Sequence, residues 1–297
     1  MPIKLLNPIN VEATTLPDAW FQAVYQCIHH GRDFIIDRGS YAGDKRLEFD
    51  YFTAHISQPW IGSELDINLL LPQLAEGCSI PNPVENGYLD NYVAEYLMGN
   101  ELKKEESYTY GQRMTRFEIP REWVYGWNTS NGGKPWKEIL IQDPEFWSNP
   151  EIIIRDLEND RFYVNQIKLL IETYKNKGFR NNQMVLQVAH PSDMLLQDPP
   201  CLRLIDTRIQ EESDGKIYLH FFPEFRSWDL WGGFPANLGG IELMKQLIAS
   251  EIGVENGSMI VRSKGLHLYK YVWELAEAIA HKTIDEAREC ILNETIN

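Results

Sequence analysis

The sequence predicts an α+β fold, in which a mixed β-sheet packs with helices in a single domain. Helix-like and strand-like segments follow one another without an internal repeat or a low-complexity linker. With 297 residues, 43% of them hydrophobic, the chain can bury a core of ordinary size. We therefore expect one domain over residues 1–297. An irregular excursion is expected at about residues 115–160, where four tryptophans stand among Gly, Asn and Pro.

Three elements are predicted in the first half of the chain. Pro17 and Asp18 open a segment of helical spacing that ends at a glycine, so residues 16–31 should form a capped amphipathic helix. The alternating run 47–57 predicts a strand. After a proline-rich turn, the apolar spacing of YLDNYVAEYLM (88–98) again indicates a helix.

The second half is more regular. Helices are expected at 162–177, 239–252 and 271–292, and strands at 184–189, 201–210, 216–222 and 258–263. The dipeptide Asp214-Gly215 is typical of a hairpin turn, so the strands on either side of it should pair. Cys201 would then stand at the start of the first of these strands.

Composition excludes some classes of function. The 43 acidic and 28 basic residues give a net charge of -15, which argues against a protein that grips nucleic acid along its phosphates. The sequence also lacks an apolar run of the roughly 20 residues that span a bilayer and the pattern of a signal peptide. Four scattered cysteines show no metal-ligand spacing, so no metal site is expected and a reducing, cytoplasmic compartment fits best.

Cys201 is the first candidate for chemistry. It follows Pro199 and Pro200 at a strand entrance, where a stiffened backbone would hold a nucleophile at a fixed angle. The alternative is a small buried hydrophobic residue, which is a common role of free cysteine.

The segment FRSWDLWGGFPANLGG (225–240) is a candidate anion site at a helix entrance. Arg226 and Ser227 supply the charged fork and the hydroxyl that phosphate recognition uses. The carboxamide of Asn237 offers the donor and the acceptor that a uracil edge requires. A packed turn in which Arg226 pairs with an acidic neighbour is the alternative.

His267 and Tyr269 are two residues apart in SKGLHLYKY. On an extended segment both side chains point to the same side, where they could bind one sugar hydroxyl. A structural histidine is the alternative explanation for His267.

Five segments, taken in order, resemble thymidylate synthase, and more closely its archaeal-type branch with the related nucleotide hydroxymethylases. They are IDRGSYAGDKR, YTYGQRM, DPPCLRLID, FRSWDLWGGFPAN and SKGLHLYKY, within residues 36–271. Arg-Ser-x-Asp followed eight residues later by Asn, with His-x-Tyr about thirty residues on, is a specific signature. The resemblance implies a thymidylate synthase-like fold that forms a homodimer through its sheet.

The resemblance also implies roles for individual residues. Cys201 would add to C6 of the pyrimidine and so make C5 a carbon nucleophile. Arg226, Ser227 and Arg38 would bind the 5'-phosphate, and Arg226 would favour the Cys201 thiolate. Asn237 would read the uracil edge, because the cytosine-specific hydroxymethylases have an aspartate in this place.

The other implied roles concern the sugar, the folate and proton transfer. His267 and Tyr269 would hold the deoxyribose 3'-hydroxyl, and Asp229 would contact the folate pterin. Tyr110 would lie near the nucleophile and organise the waters that transfer protons. Glu95, on the helix before YTYG, is our choice for the general acid/base; a solvated helix residue is the alternative.

The sequence departs from the family pattern in four places. Leu202 replaces the frequent histidine after the nucleophile, and Asn182 and Gln183 replace the arginine pair that a partner subunit lends to the phosphate. Neither the tryptophan that shields the one-carbon unit from water nor the folate-capping C-terminal tail is recognisable.

The activity implied is methylation of dUMP to dTMP, with 5,10-methylenetetrahydrofolate as both carbon donor and hydride source. Hydroxymethylation of CMP, dCMP or dUMP through the same adduct is the close alternative, in which water attacks the methylene. The implied partners are a nucleotide, a folate and a second copy of the chain. A Cys201–His267 thiol hydrolase and a non-catalytic nucleotide-binding protein are the alternatives from other classes.

Overall fold

A six-stranded mixed β-sheet forms the centre of the computed structural model, which describes residues 5–37, 41–74, 79–104, 106–120, 146 and 148–280. Its strand order is β1-β4-β12-β10-β9-β8. The pairs β1–β4 and β10–β12 are parallel and the other pairs are antiparallel. Its strands are β1 (Pro8–Ala13), β4 (Tyr51–Ile56), β8 (Val185–Gln187), β9 (Leu202–Glu211), β10 (Ile217–Phe225) and β12 (Glu255–Ser263).

Two smaller sheets accompany the central one. A four-stranded sheet has the order β11-β13-β3-β2, and a three-stranded antiparallel sheet has the order β5-β7-β6. Their strands are β2 (Arg32–Ile35), β3 (Lys45–Glu48), β5 (Phe117–Ile119), β6 (Ile153–Asp156), β7 (Arg161–Val164), β11 (Trp228–Asp229) and β13 (Leu266–Tyr269).

Helices pack against these sheets, which confirms the predicted α+β class. The α-helices of the described residues are α1 (Leu16–His30), α2 (Tyr88–Asn91), α3 (Tyr110–Thr115), α4 (Gln166–Lys177), α5 (Gly233–Ile252) and α6 (Trp273–Ala280). Helix α1 contacts α5, and both contact strands of the central sheet. Trp20 on α1 is buried, and its Nε1 donates to the carbonyls of Leu230 and Trp231, so the segment that leads into α5 is tied to α1.

Most of the predicted elements are confirmed. Helix α1 ends at Gly31 as expected, and the Thr15 side chain caps its start by accepting from the Asp18 amide. Strands β9 and β10 pair in antiparallel register across the Asp214-Gly215 turn. Cys201 lies directly before β9. The predicted helix 271–292 is helical from Trp273 to Ala280, and its remainder lies outside the described residues.

The predicted strand 47–57 is wrong, because two strands in different sheets occupy this stretch. Strand β3 ends at Glu48 and β4 begins at Tyr51. Between them the Phe49 amide donates to Leu266, while the Asp50 carboxylate accepts from Asn7 and Arg32. These hydrogen bonds fix the chain where it passes from the four-stranded sheet to the central sheet.

The predicted helix 162–177 begins too early. Phe162 to Val164 belong to β7, which pairs with both β5 and β6. The Asn165 side chain then accepts from the Lys168 amide and starts α4. The described ends of the 115–160 excursion are therefore regular strands, whereas residues 121–145 and 147, with all four tryptophans, lie outside the described residues.

One helical segment departs from α geometry. Tyr92–Leu97, which follows α2, is a π-helix, a form that often occurs at functional sites. Gly240 on α5 lies against it, since a Cβ at this position would stand 2.6 Å from ring carbons of Tyr92. That ring stacks between those of Tyr88 and Tyr96, at centroid distances of 5.7 Å. None of the described helices is both long and apolar enough to cross a membrane.

Two neighbouring glycines on α5 test this packing. We expect Gly240→Ala to lower the free energy of unfolding by about 1–3 kcal/mol, because the stacked Tyr92 ring has little room to move. Gly239→Ala is the control, since its Cβ would meet the flexible side chain of Leu89 at 3.0 Å, and alanine also favours the helix. Its change should stay below about 1 kcal/mol. Equal losses in urea unfolding would contradict the account.

Candidate active site

A cavity of about 600 Å³ brings six of the predicted site residues together. It lies where the end of β10 meets β11 and β13. The predicted residues that line it are Cys201, Arg226, Ser227, Asp229, His267 and Tyr269. The antiparallel pairing of β9 with β10 explains part of this, because it places Phe225 opposite Leu202, next to the cysteine.

Arg226 binds the loop that carries Cys201. Its amide donates to the Cys201 carbonyl at 2.9 Å. Its Nε donates to the carbonyls of Pro199 and Pro200 at 3.2 and 3.1 Å, and its Nη2 lies 3.3 Å from a carboxylate oxygen of Asp198. Arg226 thus has the acidic neighbour, Asp198, that the packed-turn alternative expects. Arg226 nevertheless also lines the cavity.

The Cys201 thiol is only partly accessible. Burial raises its pKa, and the nearby guanidinium of Arg226 is the largest effect that lowers it. Arg226 therefore favours the thiolate as expected, but burial outweighs it. Cys27 differs, because it is fully buried, donates weakly to the Leu47 carbonyl and has its pKa raised by burial to about 12.

Asp229 faces the cavity and also caps the start of α5. Its carboxylate accepts from the amides of Trp231, Gly232 and Gly233 at 2.9 to 3.2 Å. Burial raises its pKa, while these three hydrogen bonds oppose the shift. A carboxylate has about four acceptor sites, so one remains for a ligand.

His267 and Tyr269 point to the same side of β13, as predicted. Their ring centroids are 4.6 Å apart in an edge-to-face arrangement. His267 is buried, its Nδ1 lies 2.8 Å from the Gly265 carbonyl, and burial lowers its pKa to about 4. A neutral imidazole of such low basicity is a weak partner for a thiol, which disfavours the Cys201–His267 hydrolase alternative.

The other three described candidates line a separate cavity of about 410 Å³. These are Glu95, Tyr110 and Asn237, together with a group of tyrosines from the segment 88–110. Tyr110 is buried, and its hydroxyl accepts from the Leu202 amide at 3.3 Å. Tyr110 therefore fixes the backbone next to the nucleophile, and the two cavities flank the same stretch of chain.

Two neighbours orient the Asn237 carboxamide. The indole Nε1 of Trp228 donates to Oδ1 at 2.9 Å, and Nδ2 donates to the Tyr92 hydroxyl at 2.8 Å. An indole N–H is only a donor, so the atom that faces it must be the oxygen. The amide is thus oriented before any ligand binds.

Glu95 stands at the rim of the second cavity. Its side chain is more than half exposed and pairs with Lys103 at 2.7 Å. On the same π-helix, the buried Tyr92 contacts Asn237 instead. Spacing alone missed Tyr92 because a π-turn changes which side chains of a helix face inward. The catalytic role of Glu95 stays a prediction.

Two residues without a predicted role also line the first cavity. They are Arg46 and Glu48 on β3. The signal that could have found them is the pairing of β3 with β13, which places Glu48 opposite His267 and Arg46 opposite Tyr269. Arg38 lies outside the described residues, so its phosphate role stays a prediction. The described residues hold no cluster of three metal-ligating side chains.

Comparison with known proteins shows the family of the chain. A family model described as thymidylate synthase matches residues 94–296. The chain belongs to the thymidylate synthase family. A protein of Methanosarcina mazei named "Putative thymidylate synthase" is 24% identical over 269 residues, which cover 91% of this chain and 93% of the relative.

Two further relatives extend this comparison. A protein of the same name from Methanothermobacter thermautotrophicus is 22% identical over 276 residues, covering 91% of this chain and 97% of the relative. A "Thymidylate synthase" of Listeria monocytogenes is 30% identical over 107 residues, which are 36% of this chain and 32% of that protein. The similarity to the archaeal proteins therefore covers nearly the whole chain.

The charge of Arg226 should control the reactivity of Cys201. We expect alkylation by iodoacetamide to rise with pH through a midpoint above that of an ordinary thiol, because burial raises the pKa of Cys201. Arg226→Gln should move this midpoint up by roughly one pH unit, since a nearby cation favours the thiolate. Mass spectrometry of the Cys201 peptide would follow the rate.

Arg161→Gln is the matched control, because this exposed arginine pairs with Glu118 on the three-stranded sheet. It should leave the midpoint unchanged. A downward shift in Arg226→Gln would mean that Arg226 acts by closing the loop rather than through its charge.

Proposed function

We propose that this protein transfers a one-carbon unit to C5 of a pyrimidine nucleotide through a covalent adduct of Cys201. The observation that carries the proposal is the placement of Cys201 beside Arg226 in one cavity with His267 and Tyr269. Membership of the thymidylate synthase family supports the same reaction class.

The thiolate supplies the first step. A lone pair of its sulfur forms a bond to C6 of the pyrimidine, and the electron pair of the C5–C6 double bond moves onto C5 and the neighbouring carbonyl. C5 can then form a bond to an electrophilic carbon. Loss of the C5 proton and departure of the sulfur restore the double bond and the free thiol. A stiff loop favours this addition, since the sulfur must approach C6 from one direction.

Arg226 and Ser227 are suited to bind the 5'-phosphate, with Arg38 as a further candidate. A phosphate would bind the same guanidinium that holds the Pro199 and Pro200 carbonyls, because its five N–H donors allow both contacts. Binding would then be coupled to the position of the Cys201 loop. The oriented carboxamide of Asn237 is suited to read the edge of the base, because it keeps one donor and one acceptor site free.

The residues present also fit a folate. The second cavity offers stacked tyrosine rings, and the remaining acceptor site of Asp229 suits a pterin N–H. 5,10-Methylenetetrahydrofolate, when bound, supplies the one-carbon unit and, for methyl transfer, the hydride. Asp229 and the two outer rings of the tyrosine stack, Tyr88 and Tyr96, are our candidates to hold it.

The family resemblance favours methylation of dUMP to dTMP, and hydroxymethylation of CMP, dCMP or dUMP is the alternative product. The two outcomes differ in whether water reaches the methylene carbon. The tryptophans of the segment 115–160 lie outside the described residues, so the chemical identity of the product distinguishes methylation from hydroxymethylation.

Turnover with defined substrates tests the proposed reaction. The protein is incubated with 5,10-methylenetetrahydrofolate and each of dUMP, dCMP, UMP and CMP, while dihydrofolate absorbance and product mass are followed. We expect at least one nucleotide to gain a carbon at C5. Cys201→Ala should form no product, whereas Cys27→Ala should keep its activity because Cys27 lies in the core.

Dihydrofolate together with a methylated product would mean synthase activity, and a hydroxymethyl product without dihydrofolate would mean hydroxymethylase activity. Absence of any product, or full activity of Cys201→Ala, would contradict the proposed function.

We also propose that two copies pair through the central sheet. Buried and accessible residues alternate along β4, β9, β10 and β12, and the described helices α1 and α5 contact this sheet. The more accessible positions, among them Phe222, Ile260 and Arg262, form a face that the described residues leave open. Its apolar side chains, Phe222 and Ile260, are of the kind that the core of a subunit interface buries.

A single charge on that face should separate the subunits. Ile260 is 40% exposed, and we expect Ile260→Asp to sediment as a monomer at concentrations where the unchanged protein is a dimer. Leu247→Asp is the control, since Leu247 is 52% exposed but lies on α5. A monomeric unchanged protein, or an equal effect of both variants, would contradict pairing through the sheet.

A further inference from the structure

Three residues that line one end of the first cavity carry buried polar atoms with few partners among the described residues. Nε of Arg46 and Nε2 of His267 form no hydrogen bond, and Oε2 of Glu48 is paired only with Arg46 Nη2. All three residues line the cavity. Buried polar groups are normally hydrogen-bonded, so a group of unsatisfied atoms beside a cavity indicates where a ligand supplies the missing partners.

The pairing of β3 with β13 brings these atoms together. Glu48 stands opposite His267 in the antiparallel register, and paired residues project to the same face of a sheet. Both also border Gly265. His267 Nδ1 lies 2.8 Å from its carbonyl, and Glu48 Oε2 lies 3.6 Å from the place that a Cβ at 265 would take.

Two of the three atoms are hydrogen-bond acceptors. A carbonyl can only accept, so Nδ1 of His267 must carry the proton that is donated to Gly265. Because burial lowers the pKa of His267 to about 4, the ring is neutral at pH 7 and its Nε2 has a free lone pair. Glu48 offers a carboxylate oxygen. Arg46 Nη2 lies 2.6 Å from this oxygen and balances its charge.

From this arrangement we infer that the sugar of the bound nucleotide is ribose, with Glu48 accepting from the 2'-hydroxyl and His267 from the 3'-hydroxyl. The inference rests on the proposed function, which places a nucleotide in this cavity. Neighbouring hydroxyls of a ribose donate two hydrogen bonds from adjacent carbons, which matches two acceptors on one sheet face. A carboxylate that binds a ribose 2'-hydroxyl is a recurrent arrangement in nucleotide sites.

Deoxyribose fits the same atoms less well. It has only the 3'-hydroxyl, so Glu48 Oε2 would keep Arg46 as its only donor and leave its second lone pair unused. The family resemblance implies the deoxyribose of dUMP, whereas Glu48 argues for a ribonucleotide. Among the candidate substrates, this selects UMP and CMP over dUMP and dCMP.

Binding of matched nucleotide pairs tests the inference. Isothermal titration calorimetry measures UMP against dUMP, and CMP against dCMP, on the unchanged protein and on Glu48→Leu and Glu48→Gln. The unchanged protein should bind the ribonucleotide of the accepted base at least ~10-fold more tightly, as expected for a hydrogen bond to a charged acceptor. Glu48→Leu should lose that preference, and Glu48→Gln, which keeps an oxygen acceptor, should retain part of it.

Glu151→Leu serves as the control, because Glu151 is exposed and pairs with Lys168 away from this cavity. It should keep the full preference for ribose. Equal affinity of the unchanged protein for the ribonucleotide and its deoxy counterpart would overturn the inference, even if Glu48→Leu failed to fold. A preference that survives in Glu48→Leu would also overturn it.

The two proposals fail in different ways. Equal binding of both sugars, with turnover intact, overturns the ribose inference alone. Failure of all four nucleotides to bind overturns the proposed function, and the ribose inference with it.

Discussion

The contacts between Arg226 and the loop of Pro199 and Pro200 are the constraint on which the candidate site depends. The end of β10 delivers the arginine, and the start of β9 delivers Cys201, so pairing of these two strands brings the two groups together. The guanidinium then closes the loop by donating to its carbonyls. A phosphate bound by the same guanidinium would therefore be linked through Arg226 to the backbone next to the nucleophile. The contacts that hold the loop thus share one side chain with the proposed phosphate site.

Burial and charge oppose one another at Cys201. Burial raises the pKa of the thiol, and Arg226 lowers it without fully compensating. A thiol protonated in the free protein avoids unwanted reactions, and it must be activated once the substrate has bound. His267 cannot easily serve as the base, because burial lowers its pKa to about 4. Its buried, neutral ring is better suited to bind a hydroxyl than to move a proton.

Sequence reasoning found the α+β class and the hairpin that places Cys201, because each rests on a local pattern. The cluster around Arg226 is implied by the resemblance to thymidylate synthase. Sequence reasoning missed features that arise from tertiary structure. The run 47–57 alternates like one strand, and only the hydrogen bonds of Phe49 and Asp50 show that it divides between two sheets. Glu48 could not be placed opposite His267 without that break. Likewise, a π-turn brings Tyr92 to Asn237, a contact that sequence reasoning did not predict.

The exchange of the C5 hydrogen with solvent tests the central claim most directly, since it needs no folate. If Cys201 adds to C6, the electron-rich C5 takes up a proton from the solvent, and reversal of the addition releases a labelled nucleotide. Proton NMR of UMP or dUMP in D2O should therefore show the H5 signal disappearing with the unchanged protein and persisting with Cys201→Ala. An H5 signal that persists with the unchanged protein, for a nucleotide shown to bind, would contradict covalent addition by Cys201.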